Sequence, residues 1–204
     1  ERELRAALIL RGDGLDERLS DSDPQVTGQA PKEVQPLDPA AHRAAQAVNE
    51  FTRQSAAILQ HEKPANMVLL RGFAQLMPIP SMQELYKVNP ACIAIYPMYK
   101  GVTRLIGMEV KETGHVFADE VETLARLWDQ HDFFYLHMKK TDSAGEDGDF
   151  DAKVAALEEV DRSIDSVLDL QPDVLVVTGD HSTPSALAAH SWHPVPLLMH
   201  GQWC

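Results

Sequence analysis

The chain has 204 residues, of which 18 are basic and 31 acidic, giving a formal net charge of −13. This acidic balance argues against general nucleic-acid binding, and it means that an anionic substrate would need local arginines, lysines or bound cations. No apolar run approaches the roughly 20 residues that a membrane-spanning helix needs, so we predict no membrane partner. The two cysteines, Cys92 and Cys204, are too few for a disulfide framework, which predicts a protein of the reducing cytoplasm.

Predicted strands and helices alternate along the chain. Short apolar or β-branched runs predict buried strands at residues 6–10, 67–70, 93–96, 133–137 and 174–178, with a further strand at 195–199. Helix signals predict helices from Asp38 to near His61, after Ser81 where Glu84 completes a capping box, at 118–130 and at 150–170. This alternation predicts the α/β class with a largely parallel sheet.

Composition changes at two places in the chain. Residues 21–39 are polar and proline-containing, which predicts a long surface loop. Glycine and threonine cluster between residues 107 and 114, which predicts a domain boundary near residue 112. The chain begins with Glu1 rather than methionine and stops at Cys204 just after an apolar segment, so we expect it to be part of a longer protein.

An aspartate and a histidine, Asp180 and His181, lie in the run VVTGDHSTP directly after the predicted strand 174–178. In open α/β sheets, ligands bind outside the carboxyl ends of the strands. A carboxylate oxygen beside an imidazole nitrogen suits Zn²⁺ or Mn²⁺. The alternative is that Asp180 or Ser182 caps a helix starting near Pro184 while His181 is solvated.

Two further histidines, His190 and His193, precede Pro194. A proline disfavours helical backbone in the residue before it, so we expect both histidines on a loop rather than on a helix. Either histidine could join a metal site with the Asp180–His181 pair. The alternative for both is an ordinary surface turn.

An acidic, glycine-containing run, KKTDSAGEDGD, follows the predicted strand 133–137. Asp142 and Glu146 in this run could ligate a divalent cation through oxygen. The alternative is a polar loop in which Asp149 caps the next helix. Because this run and Asp180 both follow strands of the predicted sheet, we favour a shared cation site.

Basic side chains near strand ends are candidates for binding phosphate or carboxylate groups. The planar guanidinium of arginine matches both groups, although single arginines at such positions are also common surface features. Neither the GxxxxGK[ST] nor the GxGxxG nucleotide-binding motif occurs, and G-x-S-x-G is also absent. The candidate substrate-binding residues are Arg11, Arg18, Arg71, Lys100 and Arg104.

Three ordered segments, KKTDSAGEDGDFDAK, TGDHSTPS and HSWHPVP, closely resemble the archaeal-type cofactor-independent (2,3-bisphosphoglycerate-independent) phosphoglycerate mutases of the alkaline phosphatase superfamily. The earlier stretches LRGDGLDERLSDSDP, LLRGFA and YPMYKGVTRLIGME are similar to that family's inserted substrate-binding domain. The resemblance implies an alkaline-phosphatase-like core with a mostly parallel sheet, plus a smaller inserted α/β domain. It assigns residues 1–112 to an incomplete cap domain and residues 113–204 to the C-terminal part of the metal-binding core.

The resemblance also implies an activity. The family is an isomerase of glycolysis and gluconeogenesis that interconverts 3-phosphoglycerate and 2-phosphoglycerate through a phosphoserine intermediate. Two divalent cations, commonly Mn²⁺ with Zn²⁺, Co²⁺ or Mg²⁺ as alternatives, clamp the transferred phosphoryl group. The competing interpretations are a phosphomonoesterase, phosphodiesterase or phosphonate hydrolase on the same metal core, and a catalytically inactive fragment.

The resemblance places the candidate ligands in two metal sites. Asp180 and His181 match the Asp-His pair of one site, and Asp142 matches the aspartate of the other. His190 stands four residues before Pro194, the position of the superfamily's remaining histidine ligand, and His193 is the second choice.

Two departures from the family pattern qualify this assignment. Many relatives carry histidine where this chain has Glu146, and a glutamate ligand makes a harder and more anionic site. The family's nucleophilic serine and its first metal-binding aspartate match no position in this chain. We therefore predict that the nucleophile is not among these 204 residues.

Overall fold

A computed structural model describes residues 6–202 and divides the chain into two compact units, Glu1–Pro78 and Ile79–Cys204. The predicted boundary near residue 112 falls inside the second unit. The physical reason is strand pairing, because residues on both sides of that position contribute strands to one sheet. None of the helices at residues 6–202 combines the length and the apolar composition of a membrane-spanning segment.

The N-terminal unit is built around the helix α1 (His42–Leu59), which a 3-10 turn at Pro39–Ala41 precedes. The side chain of Asp38 accepts a hydrogen bond from the backbone N–H of Ala40, as predicted for the helix cap. The core of the unit is small and consists of Leu19, Val34, Ala41, Ala44, Ala45 and Val48.

Two predicted strands of the N-terminal unit, at residues 6–10 and 67–70, do not form. Leu70 instead exchanges hydrogen bonds with Ser22. The Ser22 N–H donates to the Leu70 carbonyl at 2.9 Å, and the Leu70 N–H donates to Ser22 Oγ at 2.7 Å. The structure confirms the surface loop predicted at 21–39. A strand needs a row of backbone hydrogen bonds with a neighbouring strand, and this loop offers Leu70 only the local contact at Ser22.

The C-terminal unit contains two sheets with helices between the strands. The strands β1 (Pro90–Ala94), β2 (Glu109–Lys111) and β3 (Phe133–His137) form a parallel sheet in the order β2-β1-β3. The strands β4 (Val174–Thr178) and β5 (Leu197–Gly201) pair antiparallel. The helices of this unit are α2 (Met82–Tyr86), α3 (Pro97–Leu105), α4 (Phe117–Leu127), α5 (Lys140–Glu146) and α6 (Phe150–Leu168).

Proline positions explain two shifts from the predicted strands. The strand expected at 93–96 ends at Ala94, because Pro97 opens α3 with Tyr96 as its N-cap residue. The strand expected at 195–199 begins at Leu197, since Pro196 has no N–H to donate to a ladder.

The core of the C-terminal unit surrounds the central strand β1, whose residues are all buried. Ile93 packs against Phe117, Val121 and Leu124 of α4 and against Val167 of α6. Cys92 and Ala94 form a separate cluster with Met108. Burial on both faces is typical of a parallel strand covered by helices, and it explains the short continuous apolar run seen in the sequence.

A buried carboxyl group joins the carboxyl ends of two strands. Glu120 of α4 is 0% exposed, and its Oε2 accepts the backbone N–H of His137 at 3.2 Å. The backbone of Ile95, just beyond β1, is a second hydrogen-bond partner. Burial raises the pKa of Glu120 to about 7, although these two backbone hydrogen bonds oppose the shift.

The capping box predicted at Ser81 is present at the start of α2. Ser81 Oγ accepts the N–H of Glu84, and Glu84 Oε2 accepts the N–H of Ser81 at 2.8 Å. We expect Ser81→Ala to lower the free energy of unfolding by about 1 kcal/mol, because one N–H of the first turn loses its partner. Urea unfolding measures this loss. The control Ser166→Ala, at an exposed position inside α6, should not lower stability.

Candidate metal centre

Two imidazoles and a carboxylate meet beyond the carboxyl ends of β3 and β4. Asp142 lies in the first turn of α5, His181 follows β4, and His190 lies in the segment between β4 and β5. Each offers one ligand atom, and these three atoms all lie within 4.8 Å of one another. The sequence predicted all three as ligands, and the structure brings them together.

Glu146 lies at the edge of this cluster. Its Oε1 is 3.3 Å from His190 Nε2, which is 3.5 Å from Asp142 Oδ1. The alternative of a polar loop for the acidic run at 139–149 is wrong for most of that run, because residues Lys140–Glu146 form the helix α5. Helical geometry places positions i and i+4 on one face, and therefore Asp142 and Glu146 both point toward His190.

Asp180 is not part of the three-residue cluster and has a different hydrogen-bond partner. Its Oδ2 accepts a hydrogen bond from the Tyr99 hydroxyl at 2.6 Å and lies 3.7 Å from His181 Nε2. The helix that the alternative interpretation placed after Asp180 does not form, since residues 185–188 are a turn. Partial burial is the largest single influence and would raise the pKa of Asp180. The Tyr99 hydrogen bond, backbone hydrogen bonds and the neighbouring His181 together outweigh it, so the pKa is lowered.

Tyr99 was not identified from the sequence. It lies in α3 after the end of β1, and its ring stacks on His137 with centroids 3.5 Å apart. Burial lowers the pKa of His137 to about 4, so the ring next to Tyr99 is neutral at physiological pH. Only its position in the sequence could have indicated Tyr99, because it follows the end of a strand as the predicted ligands do.

Two further side chains fix Asp142. Lys139 Nζ contacts Asp142 Oδ2, and the hydroxyl of Thr183 is hydrogen-bonded to Asp142 Oδ1. Burial is the largest single influence and would raise the pKa of Asp142, but the hydrogen bonds from Lys139 and Thr183 and the nearby charges together outweigh it. The pKa therefore lies below its usual value. Asp142 is therefore ionised at neutral pH, as a metal ligand must be.

His193 lies outside the cluster. Its Nδ1 is 2.9 Å from Ser191 Oγ, and its ring stacks on the exposed Trp192. Both His190 and His193 lie on non-helical backbone, as predicted from Pro194.

The basic residues proposed to bind substrate lie in both units. In the N-terminal unit, Arg18 pairs with Asp16 and Asp38 at 2.6 Å each, Arg71 lies 3.8 Å from Asp23, and Arg11 is exposed. In α3, Lys100 lies 3.4 Å from Glu112, and Arg104 occupies the last turn. Their role in substrate binding stays a prediction.

The donor set fits a divalent cation. Carboxylate oxygens and imidazole nitrogens are ligands that Zn²⁺ and Mn²⁺ accept, and here they converge from separate chain segments. An α/β unit with such donors beyond its strand ends has the arrangement of a metal-dependent enzyme. Residues 40–203 match the family model of the metalloenzyme superfamily, and the chain therefore belongs to that superfamily.

Similarity to particular proteins is more specific. Residues 1–66 match the family model of 2,3-bisphosphoglycerate-independent phosphoglycerate mutase. Curated relatives described as probable enzymes of this kind include a protein of Aquifex aeolicus, which is 48% identical over 91% of this chain and 46% of its own length. Another is a protein of Thermus thermophilus, which is 47% identical over 98% of this chain and 50% of its own length. The chain thus spans about half the length of the curated relatives it matches.

Two solved structures are similar in fold. A protein from Pyrococcus horikoshii superposes with a TM-score of 0.70 at 30% identity, covering 80% of this chain and 49% of that one. The cofactor-independent phosphoglycerate mutase of Thermoplasma acidophilum superposes with a TM-score of 0.58 at 25% identity, covering 94% and 50%. The resemblance to these mutases and the predicted α/β class with an alkaline-phosphatase-like core are confirmed.

Proposed function

We propose that this chain forms the metal-binding part of a cofactor-independent phosphoglycerate mutase, an isomerase that interconverts 3-phosphoglycerate and 2-phosphoglycerate. The observation that carries the proposal is the convergence of Asp142, His181 and His190 from separate segments, in a chain similar to such mutases. The proposed setting is glycolysis and gluconeogenesis in the cytoplasm, with a small phosphorylated acid as the substrate.

Two groups of side chains would each hold one divalent cation. Asp142, Glu146 and His190 would form one group, and Asp180 with His181 would contribute to the other. When bound, such cations neutralise the charge that develops on a phosphoryl group during its transfer. Because Glu146 adds a second carboxylate to the first group, we propose Mn²⁺ rather than a softer ion.

The chain's own residues would orient the ligands and the substrate. Tyr99 holds one oxygen of Asp180, and Lys139 holds one oxygen of Asp142, so each carboxylate keeps its other oxygen in a fixed direction. Arg11, Arg18, Arg71, Lys100 and Arg104 are proposed to contact the phosphate or carboxylate of the substrate. The cap-domain role predicted for the N-terminal part belongs to the same proposal, with its limit where the two units divide, after Pro78.

The nucleophilic serine is proposed to lie outside these 204 residues. Two serines near the candidate ligands have other hydrogen-bond partners. Ser182 Oγ donates to the carbonyl of Pro194 at 3.3 Å, and Ser191 Oγ lies 2.9 Å from His193 Nδ1. Of the serines earlier in the chain, Ser22 is buried against Leu70 and Ser81 caps α2.

The activity is tested with a polypeptide that contains this chain and has the length of the curated relatives. Incubated with Mn²⁺ and 3-phosphoglycerate, it should form 2-phosphoglycerate, measured by a coupled enolase assay, while free phosphate stays at background. His181→Ala should abolish product formation, because a ligand of the proposed site is lost. His61→Ala, at an exposed position after α1, should retain full activity.

The same assay separates the mutase from its competitor. The superfamily model that covers most of the chain is broader than the mutases, which favours a phosphomonoesterase, phosphodiesterase or phosphonate hydrolase as the second candidate. Release of free phosphate without 2-phosphoglycerate would contradict the mutase proposal and support this competitor. If that polypeptide binds Mn²⁺ but is inactive in both reactions, and this chain alone is inactive as well, the interpretation as a catalytically inactive protein is supported.

A further inference from the structure

The hydroxyl of Thr183 lies between two candidate metal ligands that come from different segments. Thr183 is 4% exposed. Its Oγ1 is hydrogen-bonded to Asp142 Oδ1 and lies 3.1 Å from Nδ1 of His181. One buried hydroxyl therefore joins the α5 side of the site to the β4 side.

The position of this hydroxyl is fixed by its surroundings. Lys153 of α6 donates a hydrogen bond from Nζ to the carbonyl oxygen of Thr183 at 2.5 Å. Gly145 of α5 packs so closely that a Cβ at that position would collide with the same carbonyl oxygen. Because backbone and side chain are both held, the hydroxyl has little freedom to turn away from Asp142 and His181.

Proton counting determines the direction of both contacts. A threonine hydroxyl has one proton to donate and lone pairs with which to accept. The Asp142 carboxylate, which contacts the ammonium group of Lys139, is ionised at neutral pH and can only accept. The Thr183 proton therefore goes to Asp142, and toward His181 the hydroxyl oxygen must be the acceptor. It follows that Nδ1 of His181 carries a proton.

We propose that Thr183 is a positioning residue that holds His181 in the Nδ1–H tautomer and leaves the lone pair of Nε2 free for a divalent cation. This nitrogen faces Asp180, with 3.7 Å between Nε2 and Asp180 Oδ2. A fixed tautomer and ring orientation are what a metal-ligating histidine requires from its outer partner. The cation part of this inference rests on the proposed function, whereas the tautomer is a property of the metal-free chain.

The tautomer is measured first, without metal. Long-range ¹H–¹⁵N correlation spectra of the metal-free chain, at a pH where His181 is neutral, should show a protonated Nδ1 and an unprotonated Nε2. The resonances are assigned by their absence in His181→Asn. Thr183→Val keeps the side-chain shape but lacks the hydroxyl, so His181 should become a mixture of tautomers. Thr183→Ser keeps the hydroxyl and should retain the parent spectrum.

Metal affinity is measured second, by titrating Mn²⁺ into the parent, Thr183→Val and Thr183→Ser forms of the relatives'-length polypeptide that the activity assay uses. Thr183→Val should bind Mn²⁺ roughly 10- to 100-fold more weakly, the usual effect of losing an outer-shell partner, and Thr183→Ser should stay close to the parent. A protonated Nε2 in the parent chain, or an unchanged tautomer in Thr183→Val, would overturn the inference. If the tautomer behaves as expected while the parent binds no Mn²⁺, the metal site itself is wrong and the proposed function fails.

Discussion

Asp142→Asn is expected to abolish Mn²⁺ binding at the candidate site, with a loss of affinity larger than the roughly 100-fold upper range for an outer-shell partner. Asp142 is the ionised carboxylate of the three-residue cluster, and its ligand atom lies within 4.8 Å of those of both histidines. Asparagine preserves the shape of the side chain but removes the charge that attracts the cation. Isothermal titration with Mn²⁺ measures the loss.

The matched control for this change is Asp147→Asn. Asp147 is an exposed residue at the end of α5 and outside the cluster of ligand atoms. The Asp147→Asn substitution removes the same formal charge from the same segment, so a general effect of net charge on Mn²⁺ binding would appear in both variants. Equal Mn²⁺ affinity of Asp142→Asn and the parent would remove Asp142 from the site.

Glu120→Gln is expected to change how the stability of the C-terminal unit depends on pH. Burial raises the pKa of Glu120 from 4.5 to about 7, so the folded state keeps a proton that the unfolded state releases. The stability of the parent relative to the glutamine variant should therefore fall as the pH rises from about 4.5 to about 7, and stay level above that. The full change amounts to about 3 kcal/mol.

Urea unfolding followed by tryptophan fluorescence between pH 5 and 8 measures this difference. The comparison with the variant is needed because burial also lowers the pKa of His137 to about 4. This shift makes the stability rise with pH over part of the same range, opposite to the effect of Glu120. That contribution is common to both proteins and cancels in the difference. Glu122→Gln, an exposed position on the same helix, is the control and should run parallel to the parent. If the free energy of unfolding of Glu120→Gln also changes with pH in the same way as that of the parent, the pKa of Glu120 is not raised.

Patterns that are complete within a few residues could be predicted from the sequence. The cap at Asp38, the capping box at Ser81 and the cap at Asp149 are present, because each depends on contacts with the next three residues. The strands Phe133–His137 and Val174–Thr178 have the predicted bounds. Residues 6–10 and 67–70 have comparable apolar runs but form no strand, since a strand also requires a partner in the right place.

Some residues of the candidate site could likewise be predicted from the sequence, and others could not. The sequence predicted Asp142, Asp180 and His181 as candidate metal ligands, because binding sites of α/β sheets lie beyond the strand ends and acidic or imidazole side chains at such positions can be found from the sequence alone. Spacing left His190 and His193 as alternatives, and only the resemblance favoured His190. The structure places His190 in the cluster, because the segment before β5 turns its ring to within 3.9 Å of the His181 ring centroid.

The sequence by itself determined the α/β class, the membership of Asp142, Asp180 and His181 in one region, and the resemblance to the phosphoglycerate mutases. Only the tertiary structure decided which side chains support that region. Tyr99 reaches Asp180 across 81 positions of sequence, and Thr183 reaches Asp142 across 41. The physical reason is that a hydrogen bond depends on distance and direction in space. The hydrogen-bond partner of a tyrosine or threonine therefore cannot be predicted from the sequence, because the packing of helices and strands determines which groups are close enough.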